Sequence, residues 1–549
     1  MARKKETAEL QGVAPHDINE DGTLKPENIT VFGPDYGMSQ FPEGRPFPEN
    51  IMPDLSSLKP DDENSPNAGW CPNGSWSSGI CRPYNNEFRS RWMSAYGTVK
   101  HQRIQEAILP GTHQSAFDKH AASAPSMETC QDVTVHTQLH AGIRVFDIRV
   151  QFYFGYAAGD SRRFMIFHRG NNGRSVQGDI LNALIDFYSD VRNRGEIVVL
   201  DFHEFKGFTP AAHLELAGVI KNSLRGIIAS PRFRSFNTGQ LAALGKTVII
   251  AYNYGTRNPD FWPGVNQRWI GHNQPTSSQL KAFVDKVAAE SKPAWELRAI
   301  QAAKYTKVFH VPDDMSPDVM SWFAAGNAAS PIMRHFIVNS DWALRHRLVD
   351  NIIYANQFRY GYYRDAYPCQ EATGDIPLAP GLVYWVFYGC SRPLIALPNT
   401  SNWHFGEEGL AVIVGREVSC ELMMNHLVFS TAGIQVPLSA GDALAFVHLN
   451  KKWDIVCPVY TPNSSGAAVP APPFGEKFSR YTMMDNNWLP TLKLPSFSEK
   501  INSVILITIS SPDVTLSGAE LVGGQSLILK RPKTYAFAYQ GPSRWRLLN

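Results

Sequence analysis

The chain has 549 residues, 52 basic against 50 acidic, and a formal net charge of +2, so no global field recruits nucleic acid. Hydrophobic residues make up 43% and charged residues 19%, and Phe (30), Tyr (20) and Trp (13) are plentiful, which excludes disorder over most of the length. No apolar run approaches the roughly 18 residues of a membrane helix, and the basic start Met1-Ala-Arg-Lys-Lys is followed by polar residues rather than a secretory core. The expectation is a cytoplasmic protein, or one exported without such a signal, with peripheral membrane contact.

In chain order, residues 1–94 are rich in Pro, Asn, Asp and Glu without sustained period, and read as an extended N-terminal arm. Seven cysteines are scattered with no CxxC pair, which removes zinc-ribbon and thioredoxin readings. Cys71 and Cys81 bracket a Gly/Ser/Trp loop and are either free thiols or a bridge. From 95 to 368 short apolar runs recur at Ile104–Leu109, Ile143–Val150, Phe164–Phe167, Ile197–Phe202, Thr247–Tyr252, Lys307–Val311 and Phe336–Asn339. Amphipathic stretches such as Val176–Val191 lie between most of them. Buried strands alternating with helices predict an α/β fold, an irregular (β/α) TIM-type barrel. No GxGxxG or GxxxxGK[ST] follows a strand, so nucleotide-binding versions lose support.

Beyond 369 the helical period disappears, and alternating strands with many Gly, Pro, Ser and Asn breaks predict an additional C-terminal all-β region. It reads as two related modules, 369–460 and 461–549. Leu397-Pro398-Asn399 and Leu494-Pro495-Ser496 open them; Lys452-Trp453-Asp454-Ile455 and Arg544-Trp545-Arg546-Leu547 close them. The Pro/Ala/Ser-rich stretch Pro458–Pro473 reads as a linker. The paired units look like small β modules of phage tail and fibre proteins, and they are either a structural extension or a binder of carbohydrate, membrane surface or a protein partner.

A parallel barrel carries its functional groups where strands end. The expected ends are Thr112-His113-Gln114, Asp147-Ile148-Arg149, Phe167-His168-Arg169, Asp201-Phe202-His203 and Asn339-Ser340-Asp341. Histidines, an arginine and an aspartate without a convincing nucleophile suit phosphodiester chemistry. One imidazole takes a hydroxyl proton, a carboxylate orients it, Arg neutralises the phosphorane, and a second acid protonates the leaving oxygen.

Pro110-Gly111-Thr112-His113-Gln114-Ser115 resembles the PGTHDS motif of the phosphatidylinositol-specific phospholipase C X-domain family, in its bacterial, metal-independent form. Gln138-Leu139, followed by Gly142-Ile143-Arg144-Val145-Phe146-Asp147-Ile148-Arg149, is similar to that family's second motif, and Glu196–Phe202, Gly245–Ile250 and Phe336–Asp341 fit its later strands. The resemblance covers about 95–360. It implies His113 as general base, Asp341 as the carboxylate orienting it, Arg149 as the phosphate clamp in place of a metal, and Asp147 as its acidic companion. Neither a cofactor nor a metal is expected, and the partner would be a phospholipid surface. The implied activity belongs to lipid metabolism: head-group cleavage through a cyclic phosphodiester.

Departures from the family pattern also bear on function. Gln114 stands where the family has Asp. His168-Arg169-Gly170 replaces the family's His-Gly, so either His168 faces the site through a bulge or Arg169 does. His203 is a substitute acid, and Tyr252 occupies the place of an inositol-binding Arg. With these, Gln114, Asp147, Arg169, His203 and Tyr252 are the expected substrate contacts, and His113, Arg149, His168 and Asp341 the catalytic set. The alternatives are a catalytically impaired binding barrel, or a phosphodiesterase for another lipid or a glycerophosphodiester. His168-Arg169-Gly170 also echoes glycerophosphodiester phosphodiesterases, but the acidic pair of that family does not follow.

Overall fold

The computed structural model describes residues 89–549 except 96, 125, 306–310, 325–330, 346, 357–363, 369–375, 377–380, 387–393, 401–407, 415–418, 430–432, 463–467, 474–475 and 549, and before these only the short strands Trp76–Ser77 and Ile80–Cys81. Most of the expected arm, the Cys71–Cys81 question and nearly all of the expected strand at Lys307–Val311 lie outside the described residues. The arm's last residues are part of the barrel unit rather than extended: Trp92–Ala95 is helical, and Trp92 and Met93 are buried. The chain divides into two compact units, one holding the described residues up to Pro231 with Thr247–Gly361, the other Arg232–Lys246 with Tyr362–Asn549.

The first unit is an α/β barrel. Its parallel strands are β1 (Leu109–Thr112), β2 (Val145–Phe152), β5 (Val198–Lys206), β6 (Val248–Tyr252), β7 (Trp262–Pro263), β8 (Asn266–Arg268), β9 (Arg298–Ala302) and β10 (Ile337–Ser340). The hydrogen-bonded order is β8-β9-β10-β1-β2-β5-β6-β7, so the last strand pairs with the first, as in a barrel. The irregularity lies between β7 and β8. These pair with β6 and β9 respectively, not with each other, and only Gly264-Val265 separates them. The ring is completed there by chain continuity, where Pro263 lacks an N–H to extend a ladder.

Crossovers bring α1 (Val135–His140), α2 (Asn182–Ser189), α3 (Pro210–Ser223), α5 (Ser277–Ala288) and α6 (Ser316–Trp322), with α7 (Leu348–Ala355) after β10. Their apolar faces pack on the strands; Leu280, Val284 and Ile352 meet Ile108, Ile300 and Val338 in one buried cluster. The expected helix over Val176–Val191 is a continuous helical run to Ser189, opening with a π-turn at Val176–Leu181. Among the described residues no helix is long and apolar enough to cross a membrane.

One expected barrel strand is not one. Phe164–Phe167 (β3) runs antiparallel to the end of β2 and turns into β4 (Asn171–Ser175), a hairpin off the barrel. Two ring strands, β8 and β9, had no apolar signal, because the barrel interior is polar there. Gln267 Nε2 donates to Asp201 Oδ2 at 2.5 Å, Gln301 bonds Gln267, and Asn339 Nδ2 lies 3.4 Å from Gln267 Oε1.

The second unit repeats one topology twice. The first copy comprises β11 (Arg364–Pro368), β12 (Leu382–Val386), β13 (Leu394–Ala396), β14 (Gly409–Val414), β15 (Cys420–Met424), β16 (Ile434–Leu438), β17 (Ala443–Leu449) and β18 (Lys452–Ile455). The second comprises β19 (Val459–Tyr460), β20 (Phe478–Met483), β21 (Thr491–Leu492), β22 (Val504–Ile509), β23 (Val514–Leu516), β24 (Leu527–Leu529), β25 (Lys533–Tyr539) and β26 (Trp545–Leu547). In each, the first, second, fourth, seventh and eighth strands form one sheet and the third, fifth and sixth another. The repeated Leu-Pro and Trp landmarks are one contact made twice: Trp453 Nε1 donates to Pro398 O at 2.9 Å, and Trp545 Nε1 to Pro495 O at 2.7 Å. Val459–Tyr460, inside the expected linker, opens the second copy. A single core joins Leu382, Val412 and Phe446 of the first copy to Phe478, Leu506 and Ala536 of the second. Helix α4 (Thr238–Ala243) belongs to this unit: the buried Gln240 amide donates to Gly409 O at 2.7 Å and Leu382 O at 3.2 Å.

Candidate active site

The side chains of interest gather at the C-terminal ends of β1, β2, β5 and β10. Gly111, on β1, has no room for a side chain: a Cβ would stand 1.9 Å from Asn339 Oδ1. The chain then turns sharply, with Gln114 at φ 44°, so that its N–H donates to Asp147 Oδ2 at 3.2 Å. Gln138 of α1 braces the turn: its Nε2 donates to Ser115 O at 2.8 Å and its Oε1 lies 2.9 Å from Thr112 Oγ1. Gln131 Nε2 reaches both His113 O and Ser340 O at 2.9 Å, locking the ends of β1 and β10 together.

That lock places His113 Nδ1 2.8 Å from Asp341 Oδ1, with both side chains buried. A carboxylate only accepts, so Nδ1 carries the proton and the Nε2 lone pair is free; Nε2 has no hydrogen-bond partner among the described residues. Tyr305, at φ 61°, sets its ring edge-on to His113 at 5.3 Å, and the half-exposed Trp269 stands against Tyr305 in turn. Cys130 Sγ lies 3.2 Å from His113 O. His113, Cys130 and Asp341 each bring a potential ligand atom within 4.8 Å of the others. Burial and Asp341 push the Cys130 thiol well up, away from the thiolate that a metal takes.

Arg149 is the cationic centre. Its guanidinium lies 3.7 Å from Asp147 and 3.4 Å from Glu204 Oε2. Burial works against the charge on Arg149, but Asp147 and Glu204 outweigh it and raise its pKa. Burial likewise works against the Asp147 carboxylate, yet Arg149, His203, His113 and the Gln114 N–H together hold its pKa down. Glu204 comes into reach through a register shift: Ile148 pairs with Phe202 but Arg149 with Glu204, leaving His203 as the extra residue. His203 Nδ1 is buried without a partner among the described residues, and burial holds its pKa down to about 4, against the pull of Asp147.

His168 arrives from an unexpected direction. It sits in the β3–β4 turn, and because Ile166 pairs with Val150, the register carries His168 back beside Arg149. Arg149 Nη1 lies 2.9 Å from His168 Nδ1. The cation can only donate, so neutral His168 keeps its proton on Nε2. Burial and the Arg149 charge hold its pKa down to about 3.

Two expected contacts lie apart from this cluster. Arg169 is 59% exposed at its side chain, with Nη1 3.0 Å from Met127 Sδ and Nε 3.8 Å from Glu128, so it lies on the surface. The strand alternation expected to choose between His168 and Arg169 does not apply in a hairpin turn. Tyr252 is buried among Phe202, Phe205 and Phe261, its hydroxyl 2.9 Å from His213 Nδ1 of α3. Ala251 pairs with the interior Asp201, so Tyr252 faces the helix layer. Glu204, Tyr305, Gln131 and Cys130 escaped the sequence reading. Glu204 directly follows His203, but only the bulge turns it toward Arg149.

No family model matches the chain, and no curated protein does. Among solved structures, a mutant of the phosphatidylinositol-specific phospholipase C from Staphylococcus aureus aligns at 14% identity and TM-score 0.40, covering 49% of this chain and 99% of that one. The phosphatidylinositol-specific phospholipase C from Listeria monocytogenes aligns at 16% identity and TM-score 0.37, covering 49% of this chain and 98% of that one. The barrel assignment itself follows from the strand order.

Proposed function

We propose that the chain is a phosphodiesterase of the phosphatidylinositol phospholipase C type, cleaving a phospholipid head group through a cyclic phosphodiester without a metal. The observation that carries this reading is the buried His113–Asp341 pair, with the His113 Nε2 lone pair unengaged in a site built around Arg149. A head-group hydroxyl next to the phosphate gives its proton to His113 Nε2 as its oxygen attacks phosphorus, and Asp341 stabilises the imidazolium that forms. Arg149 supplies the fixed positive charge at the equatorial oxygens. The phosphorus–oxygen bond to the lipid alcohol breaks, and that oxygen takes a proton from His168, with His203 the second candidate. His168 donates only as imidazolium. Burial and then the Arg149 charge hold its pKa down to about 3; a phosphate anion that pairs with Arg149 offsets the second of these and frees Nδ1 from the Arg149 hydrogen bond to take a proton.

That same depression, with His203 down to about 4 and a neutral Gln114 in place of a carboxylate, favours a second reading: a barrel that binds phosphodiesters without turning them over. Phosphorus NMR of the protein with phosphatidylinositol vesicles, with and without EDTA, decides between them. A cyclic inositol phosphate signal that survives EDTA and vanishes in His113→Ala supports turnover. Vesicle binding without product, unchanged in His113→Ala, supports the binding role. A panel of other phospholipids and glycerophosphodiesters assigns the head group.

A further inference from the structure

Outside this site, α1 and α2 bring together three side chains that the phosphate chemistry does not use. His136 and His140 stand four residues apart on α1, so both imidazoles leave one helix face; their ring centroids are 4.9 Å apart. Asp186 of α2 meets them, with Oδ2 2.7 Å from His136 Nε2. One potential ligand atom from each of the three lies within 4.8 Å of the others. Phe187 stands edge-on to His140 at 5.3 Å and limits its ring to one side.

We infer that His136, His140 and Asp186 form a binding site for a divalent cation of the zinc type, three protein ligands with water as the fourth. A hydrogen bond between His136 and Asp186 engages two of the three residues, whereas the His140 ring beside them packs on Phe187 with no hydrogen-bond partner among the described residues. Two nitrogens and one carboxylate oxygen are the donor set that zinc takes, whereas calcium and magnesium require oxygen. Around a tetrahedral zinc, ligand atoms sit about 3.4 Å apart. The His136–Asp186 contact opens slightly and His140 closes in, movements of surface side chains rather than backbone.

The position gives such a cation a consequence. The opposite face of α1 carries the buried Gln138, which braces the turn between Thr112 and Ser115 on either side of His113. A cation bridging α1 to α2 fastens that helix from outside.

The test is calorimetric titration of the chelator-treated full chain with zinc sulfate alone, with cobalt absorption as a second readout of coordination. One zinc is expected per chain. His140→Ala should lose more than the roughly 10–100-fold that removing an outer-shell partner costs, and Asp186→Asn should weaken binding while leaving the zinc-free melting point unchanged. His113→Ala and Cys130→Ser should bind zinc as the parent does, which separates this site from the barrel mouth. The inference is overturned if the parent binds no zinc, if binding survives both His140→Ala and Asp186→Asn, or if His113→Ala abolishes it. Asp186 is exposed, so its variant keeps the test valid even if His140→Ala fails to fold.

Discussion

Asp341→Asn tests the proposed base most directly. The carboxylate oxygen lies 2.8 Å from His113 Nδ1 with both groups buried, so the substitution removes a charge without removing volume. When His113 accepts a proton, the imidazolium and carboxylate charges stand about 4 Å apart, worth about 4 kcal/mol at an effective dielectric of about 20. Little of that is present while the ring is neutral, so it falls on the transition state, and each 1.4 kcal/mol is about tenfold in rate. The expected loss is about 1000-fold, and larger if the asparagine turns its NH2 toward Nδ1 and moves the ring proton to Nε2. The assay is the initial rate of head-group release from phosphatidylinositol vesicles, with the thermal melt as a check on folding. A folded Asp341→Asn protein within tenfold of the parent rate would refute the dyad.

Arg144 and Glu196 form a fully buried pair at 2.7 Å, and Glu196 also accepts from the N–H groups of Met93 and Ser94. Arg144→Met strands that carboxylate and should cost about 3–5 kcal/mol, read from denaturant unfolding. Gly111→Ala drives a Cβ into Asn339 and should cost about 1–3 kcal/mol, with a matching drop in the urea midpoint. Burial holds His168, His203 and His213 down to about 3, about 4 and about 3, from an ordinary 6.5. Below about pH 6.5 the unfolded chain binds protons that the native one refuses, so stability falls with pH down to about 3, by up to about 1.4 kcal/mol per pH unit for each histidine. A urea midpoint that is the same at pH 7 and pH 5 would contradict that assignment.

The site was most legible where strand ends carry their own chemistry. His113, Asp147, Arg149 and Asp341 follow from counting to the end of each apolar run, and the structure brings them together. What was not legible has physical causes. Val248–Tyr252 is buried on both faces, so its sequence holds no alternation to say that Tyr252 points outward. Phe164–Phe167 is too short and apolar to distinguish a parallel barrel strand from an antiparallel hairpin. Asn266–Arg268 and Arg298–Ala302 supply Gln267 and Gln301 to a polar interior, which erased the apolar runs by which a strand is found. Glu204 depends on a one-residue bulge, a feature with no compositional mark.

Helix α4 imposes an order on synthesis. The ribosome makes Arg232–Lys246 in the middle of the barrel, yet the carbonyls that satisfy the buried Gln240 amide belong to Leu382 and Gly409. Until β12 and β14 emerge, the Gln240 amide lacks its acceptors and the helix lacks its packing surface, so a nascent barrel carries an exposed apolar segment while the rest is translated. A cut between the units at 361 therefore separates α4 from its sheets instead of releasing two finished domains. Exchange of the C-terminal unit together with α4 between genes would need three crossovers, two flanking Arg232–Lys246 and one before Tyr362, not one.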